Sequence, residues 1–483
     1  MNDKCFAEIV ERQFGRKIIY TNANDINDAN ILDVLSKSLT DFQFNQVAVE
    51  YLWNYYKGDQ PVRNRKKVAA RDDIKNIVIE NHAYEIVQFK TGQTYGEPIQ
   101  YTSRKDDENI NKAVDELNDY MSDVNKHAKD IKSGEWQSAT GTTFKAIQNA
   151  KVEEIPFRIV APTPLNTFVV YSSYTEEPMI AVQEMTDMKG QTYYLCFTKS
   201  VEYTVMNSEI KDKRLHAFGD IPIVEYPNNW ERLSDIELVI DILDAISNMQ
   251  SNRMDAVEQF VSSWVKFVNC AVDEEQFQKM KMMGALVVKS NNGSENKADV
   301  DIMTQELNQE QSQIAKDDLW DNALSILAIP SKQSNTGGDT QGAVELRNGW
   351  DFSKTRAKLK DGIIRQSEKK LAMLALNVLR ISGKELRLGM RDFDVQINHS
   401  PTDNLIVKCQ SLKYLLECGI HPKIAISTVG LFSDVEKTFL NSKDYLDVLW
   451  KTTDMTEEEQ AAEEQKANEL LKKMGDPNAS KNI

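Results

Sequence analysis

Between Ser234 and Val268 the chain carries neither glycine nor proline. A helix over that whole stretch would be on the order of 50 Å long at 1.5 Å rise per residue. Its start is written locally. In Leu233-Ser234-Asp235-Ile236-Glu237-Leu238, the Ser234 hydroxyl stands where it can cap the first amide groups, and Glu237, three residues on, can reach back. Leu233 and Leu238 occupy the positions of a hydrophobic staple. The apolar residues beyond, among them Ile240, Leu243, Ile246, Met254, Val257, Val261 and Trp264, keep helical spacing only in part, and the centre, Ser247 to Asn252, is polar. A thin apolar stripe with a polar middle does not suit the core of a lone domain. It predicts a helix that packs against copies of itself or faces a solvent-filled space.

From Val268 to Pro330 the pattern predicts a chain that goes out and comes back. Gly284 breaks a short helical run, Ala285–Ser290 and Lys297–Gln305 read as a hairpin-like excursion, and helix resumes from Gln309 until Pro330 ends it. Two helices therefore flank a small insert. Trp264 and Trp320, near the ends of that pair, read as packing or interface anchors. A glycine-rich stretch comes next, and then a helix from about Ala343 past Leu379. Upstream, the first part reads as mostly helical, with one helix over 107–131. From Glu154 the period shortens: FRIVAP, TFVVYS, MIAVQEMTD, TYYLCFTKS and VEYTVMN have the β-branched and aromatic content of a small antiparallel sheet. Short strands near Glu385–Pro401 and further helices come after it, and the charged tail from Asp454 reads as disordered at its end. The fold class is α+β, mainly helical.

Charge and motifs remove several functions. A net charge of −16 does not fit a protein that grips DNA through its phosphates; the basic run Arg63–Lys67 reads as a solvated turn. The five cysteines include no C-x-x-C pair, so a reduced, cytoplasmic setting is expected. No H-E-x-x-H motif occurs, no apolar run is long enough to span a bilayer, and the first residues lack the apolar segment of a signal peptide. Neither a metal site nor a cofactor is expected. The acid pairs Asp299/Asp301 and Asp392/Asp394 share a face in extended chain, yet a hard cation usually needs more oxygen ligands. They read as polar faces of edge strands.

The glycine-rich stretch resembles catalytic loops only superficially. Gly337 and Gly342 have the spacing of a phosphate loop, but Ala343 and Val344 stand where Lys and Ser/Thr belong, and a helix precedes it instead of a strand. Gly338-Asp339-Thr340-Gln341-Gly342 imitates a nucleophile elbow and lacks the same strand. The composition suits a mobile helix–helix connection.

Four stretches in this order resemble the portal proteins of tailed bacteriophages, in particular the family typified by the portal of phage SPP1: YLWNYYKGDQP, IENHAYEIVQFKTGQTYGEPIQY, IPIVEYPNNWERLSDIELVIDILDAISNMQSN and GGDTQGAVELRNGWDFSKTRAKLK. Family members often carry Ser where this chain has Gln341. The resemblance implies a ring of identical subunits, usually a dodecamer, at the capsid portal vertex of a virion, assembled in the bacterial host cytoplasm. Double-stranded DNA is packaged and later ejected through its channel. The implied partners are the terminase large subunit, major capsid and scaffold proteins, and head–tail connector proteins.

Carried onto this chain, the resemblance implies a wing over 1–232, a stem helix over 233–268, a clip over 269–308 and a second stem helix over 309–330. It then implies a tunnel loop over 331–342, a helix returning to the wing over 343–403, a crown over 404–452 and a charged tail over 453–483. The loop residues that would face DNA are Lys332, Gln333, Ser334, Asn335, Thr336 and Gly337, continuing through Gly338, Asp339, Thr340, Gln341 and Gly342. Asp273, Glu274, Glu275, Lys279 and Lys281 would face partners from the clip. Two other classes compete: a metal-dependent nucleotide or phosphodiester hydrolase using the scattered acids, and a structural adaptor without a channel. The hydrolase predicts metal-dependent turnover by a monomer or small oligomer, and the adaptor explains the helices and charge but not paired helices around an insert.

Overall fold

The runs after Glu154 do form strands, but they divide between two sheets. The computed structural model describes residues 14–65, 74–105, 107–150, 155–261, 264–268, 275, 299–303, 309–330, 349–399, 405–429 and several positions between 431 and 442. It contains two compact units, Met1–His399 and Ser400–Ile483.

In the larger unit, β1 (Ile19–Thr21) lies parallel to β5 (Thr167–Ser172). From β5 an antiparallel meander runs through β6 (Pro178–Thr186), β7 (Thr192–Phe197), β8 (Val201–Met206) and β9 (Glu209–Leu215), giving six strands in one mixed sheet. One face carries Phe168, Val170, Ile180, Val182 and Val205, alternate positions that a pleated strand sends to the same side. Helix α1 (Ile31–Tyr56) covers that face with Ile31, Val34, Leu35 and Phe42, the last stacked on Phe168 at 4.4 Å between ring centroids. Gly58, at φ +95°, lets the chain turn just beyond the helix.

The second sheet has three strands, with β3 (Thr142–Asn149) between β4 (Phe157–Val160) and β10 (Ile223–Pro227). The sequence does not announce β3, because it follows a helix directly and alternates poorly. Its presence draws β4 away from the meander. The helix expected over 107–131 is two helices, since Asn125 adopts a left-handed conformation. These are α3 (Glu108–Asp123), capped by the Asp107 carboxylate at its first amides, and α4 (Lys126–Thr140). Between α1 and α3 lie α2 (His82–Tyr95) and β2 (Gln100–Ser103). The described residues before α2, from Ile74, are irregular.

Helix α5 (Ile240–Val261), β11 (Trp264–Val268), β12 (Asp299–Met303) and α6 (Gln309–Leu327) form the out-and-back excursion. Helix α7 (Trp350–Ile381) comes next, and β13 (Phe393–Gln396) pairs with β2. The long glycine-free stretch is thus not one helix: residues 235–239 are turns, α5 spans about 33 Å at helical rise, and Trp264–Val268 is a strand paired antiparallel with Asp299–Met303. Aromatic and β-branched residues at 264–268 favour that pairing once a partner strand returns. In the smaller unit, α8 (Leu405–Glu417) and α9 (Pro422–Val429) are the described helices.

Four charges lie at the centre of the larger unit. Lys145 on β3 and Lys126 on α4 both bind Asp130 of α4 and Glu368 of α7. All four side chains are buried, Lys145 and Glu368 completely. Tyr101 donates to Glu368 at 3.1 Å, and the Tyr226 ring lies 4.1 Å from the Lys145 ammonium. Burial raises the Glu368 pKa, but the two ammonium groups outweigh it and hold the carboxyl well below its usual range. For Lys145, burial lowers the pKa while Asp130 and Glu368 raise it further, above the ordinary lysine value.

Removing one partner strands buried charge. Glu368→Ala is expected to cost about 3–5 kcal/mol, read as a lower urea midpoint by tryptophan fluorescence; an unchanged midpoint would refute the role given to the cluster. The Glu368 contribution is present above the ordinary glutamate pKa of about 4.3 and is lost as pH falls below it. The Lys145 contribution is present below about 10.4 and is lost as pH rises past that value. Glu368→Gln should therefore flatten the acid limb of the stability profile.

Candidate functional site: the paired helices around the insert

The root of α5 is fixed to the end of α4. Ser234 Oγ donates to the carbonyls of Ala139 at 2.8 Å and Ser138 at 3.0 Å, and accepts from the Ile236 amide at 3.0 Å. The Glu237 carboxylate does reach back, accepting from the Ser234 amide at 2.7 Å, and it also pairs with buried Arg16. Ser234 thus spends its hydroxyl proton on α4, which the local motif does not foretell. Leu238 is exposed, so the expected staple does not close. Gly141, after α4, has φ +88°, and a Cβ there would stand 1.9 Å from the Arg232 carbonyl oxygen. Only glycine lets these two segments approach so closely.

One side of the polar middle of α5 is covered by its own chain. Ser247 Oγ donates to Gln60 at 3.3 Å. The Val78 amide donates to Ser251 Oγ at 3.0 Å, and Ser251 Oγ lies 2.9 Å from the Ser247 carbonyl. Gln250 binds Glu80, and Asp255 accepts from the Asn76 amide at 2.6 Å and pairs with Arg65. The sequence pattern sends this face to other copies or to solvent. The strip 74–80 and Gln60 cover its Ser247 and Ser251 side, because each buried polar group needs a partner, while Asn248 and Asn252 stay exposed. Arg65 corrects the reading of Arg63–Lys67 as a solvated turn: its guanidinium is buried against Asp255. Lys66 and Lys67 lie outside the described residues.

Helix α6 packs back along α5. Arg253 donates to Gln313 at 2.8 Å; Lys316 and Gln250 share Glu80; Val239 and Leu243 share a core with Ala323 and Leu327. As one residue number falls the other rises, so the helices are antiparallel. His82 stacks on Trp320 at 3.9 Å between centroids while its Nε2 lies 3.0 Å from Glu80. Trp320 is a packing anchor inside the subunit; the Trp264 side chain lies outside the described residues. The strands β11 and β12 continue from the two helices and pair with each other.

The sequence missed Glu80, His82, Gln60 and Arg65 as holders of this pair. The one signal for them was the polar middle itself, which demands partners without naming them. Of the expected partner-facing residues, Glu275 is described and exposed. Asp273, Glu274, Lys279 and Lys281 lie outside the described residues, as does the whole glycine-rich loop from Lys332 to Gly342. Its described flanks are Pro330, at the end of α6, and Gly349, at the start of α7.

Asp392 and Asp394 are not free to bind a cation. Lys105 donates to Asp392 at 2.7 Å and Lys369 lies 2.8 Å from Asp394, with Arg104 near the latter. Asp299 and Asp301 sit on β12, and their side chains lie outside the described residues. Among the described residues no group of three or more His, Cys, Asp or Glu is placed to hold a metal, and no helix is long and apolar enough to cross a membrane.

Glu80 joins both helices, so Glu80→Ala is expected to weaken the α5–α6 pairing by about 1–3 kcal/mol. Faster amide exchange in α6 with α1 unchanged would register this; unaltered exchange in α6 would show that Glu80 does not hold the pair.

A family model described as a phage portal protein, SPP1 Gp6-like, matches residues 48–469. A search of curated proteins finds no match. Among solved structures, the chain is similar to the neck of an empty gene transfer agent particle computed with C6 symmetry, at 10% identity and a TM-score of 0.46, covering 72% of this chain and 90% of that one. A native-particle neck computed with C12 symmetry gives 11% identity, a TM-score of 0.44 and coverage of 72% and 89%. The virion of the native particle gives 11%, 0.45 and coverage of 80% and 93%. These likenesses are distant; the match over 48–469 carries the assignment. The chain belongs to the SPP1 Gp6-like phage portal protein family.

Proposed function

We propose that this chain assembles as a homo-oligomeric ring, a dodecamer, at the capsid vertex of a virion, and that double-stranded DNA enters and leaves through its centre. The observation that carries the reading is the antiparallel α5–α6 pair, rooted in the body of the subunit and continued outward by β11 and β12. Within one subunit that pair leaves an outward face of α6 exposed, including Ile314 and Ile326. A ring supplies such a helix with a neighbour on each subunit. The net charge of −16 suits a conduit, since phosphate contacts would retain the DNA.

On this reading α5 and α6 are the stem, residues 269–308 the clip, 331–342 the tunnel loop and the helices after Asn404 the crown. The protein acts as a structural conduit and docking platform, not as an enzyme: the terminase large subunit and later the connector proteins meet the clip, and major capsid and scaffold proteins meet the outside. Assembly takes place in the bacterial host cytoplasm. The hydrolase alternative is weakened where Asp392 and Asp394 are engaged by lysines.

Electron microscopy of the purified chain with native mass in parallel should give a ring with a central hole wide enough for duplex DNA. A compact dimer with a closed centre would overturn the reading. Within assembled rings, Lys332→Ala with Asn335→Ala should change the length of DNA packaged. Lysine at Asp273, Glu274 and Glu275 should weaken terminase or connector binding and leave the ring intact; normal packaging and normal binding would remove the loop and the clip from these roles.

A further inference from the structure

Helix α7 changes character along its length. Beyond Ser367 it is embedded in the core, with Leu371, Ala372, Leu374, Ala375 and Leu379 buried. Before that, one stripe faces outward: Phe352, Thr355, Leu359, Gly362 and Gln366 are all exposed. Their spacing alternates three and four residues, the repeat that presents a continuous seam to a partner helix. Phe352 is 57% and Leu359 71% exposed. Beside the seam an open cavity of about 360 Å³ is bordered by Trp230, Leu238, Leu359 and Ile363, and Trp230 is itself 71% exposed.

Gly362 adds an independent observation. Glycine inside a helix is disfavoured relative to alanine, so it usually marks a close approach. Here a Cβ would meet nothing within 4 Å. The described residues of the subunit give no reason for glycine at this position. A helix of another molecule crossing there does.

Charge says which helix. The exposed charged side chains described on this half of α7 are cations, Arg356, Lys358 and Arg365, with Glu231 the exposed carboxylate next to Trp230. The outward half of α6 has the opposite sign, with Glu310, Asp317, Asp318 and Asp321 exposed and Lys316 turned inward to Glu80. On that face Ile314, Asp318, Asn322 and Ile326 form one ridge of every fourth residue, the row that packs into the groove of a facing helix. Ile314 is 65% and Ile326 45% exposed. The α7 surface sets Phe352 and Leu359 among Thr355, Gly362 and Gln366 with basic flanks, and the α6 ridge sets Ile314 and Ile326 at the ends of Asp318 and Asn322 with further acids beside it.

We infer that the α7 seam of one subunit, from Phe352 to Gln366 with its Trp230 cavity, receives the α6 ridge Ile314–Asp318–Asn322–Ile326 of a neighbouring copy. The inference rests on the ring reading and names the surfaces that would close it. The contact is heterologous, since two different faces meet, and such contacts generate rings when the rotation closes. The small side at Gly362 admits the ridge, Lys358 meets the acidic flank, and Arg356, whose guanidinium lies 3.5 Å from the Ile326 carbonyl of its own subunit, extends the basic edge toward it. Electrostatic complementarity of this kind sets register and excludes the wrong pairing.

The test uses the full chain and counts the fraction of protein in rings by native mass and electron microscopy at fixed concentration. Arg356→Glu with Lys358→Glu, and separately Asp318→Lys with Asp321→Lys, should each lower that fraction at least ten-fold, and the four substitutions together should restore it. Gly362→Leu should block ring formation while the helicity of the subunit is kept. Gly362→Ala should raise the thermal stability of the unassembled subunit and lower the ring fraction by less than Gly362→Leu does. Rings from the wild type that survive both double reversals and Gly362→Leu would overturn the interface and leave the ring reading standing. Reversals that impair assembly without mutual rescue would show that the two faces do not meet. A wild-type chain that forms a closed dimer would remove the ring reading, and this one with it.

Discussion

The cluster of Lys126, Asp130, Lys145 and Glu368 ties three elements to one point: α4, β3 and α7. A buried ion pair is poor evidence of net stability, because desolvation offsets the attraction. Its stronger effect is geometric. Four charges of balanced sign are tolerable in one arrangement, and slipping α7 by a turn would leave two lysines without Glu368. An apolar contact of equal volume would tolerate such a slip. The cluster therefore fixes where along its axis α7 leaves the core, and with it where Gly349, the first described residue before α7, stands.

The same logic recurs at the root of the helix pair. Glu237 takes Arg16 and the Ser234 amide, Arg232 binds Glu225, and Lys360 of α7 reaches Asp235 at 3.3 Å. Each contact links an excursion of the chain to its body by directional bonds instead of by area alone. Helices that carry functional segments far from the core need such anchoring, since a small angular error at the root grows with distance along a helix of about 33 Å.

Local features of the sequence were legible where a single element determines them. The β5 to β8 runs declare themselves by composition, and Glu237 three residues after Ser234 does bond back as the motif implies. What was not legible depends on partners distant in sequence. Trp264–Val268 is a strand because Asp299–Met303 returns beside it. Ser247 and Ser251 of α5 are buried because Gln60 and residues 74–80 cover them, and nothing around Ser251 says that the Val78 amide, 173 positions away, will bond to it. The loop residues 332–342 and most of the clip were named through family resemblance alone, and their roles rest on it still.

The contrast between the two halves of α7 bears on how a subunit of this family serves two purposes with one helix. Embedded and pinned at Glu368, the C-terminal half makes α7 part of the rigid body. The N-terminal half carries Phe352 and Leu359 outward beside Trp230 and its cavity, and inside one subunit those apolar groups stay largely exposed. Apolar surface kept exposed beside a glycine costs stability in the monomer, and a basic flank keeps it from pairing with its own kind. A seam of that composition stabilises an assembly only when a surface of opposite charge arrives. The outward face of α6, which comes from the same excursion that α7 follows in the chain, has that charge.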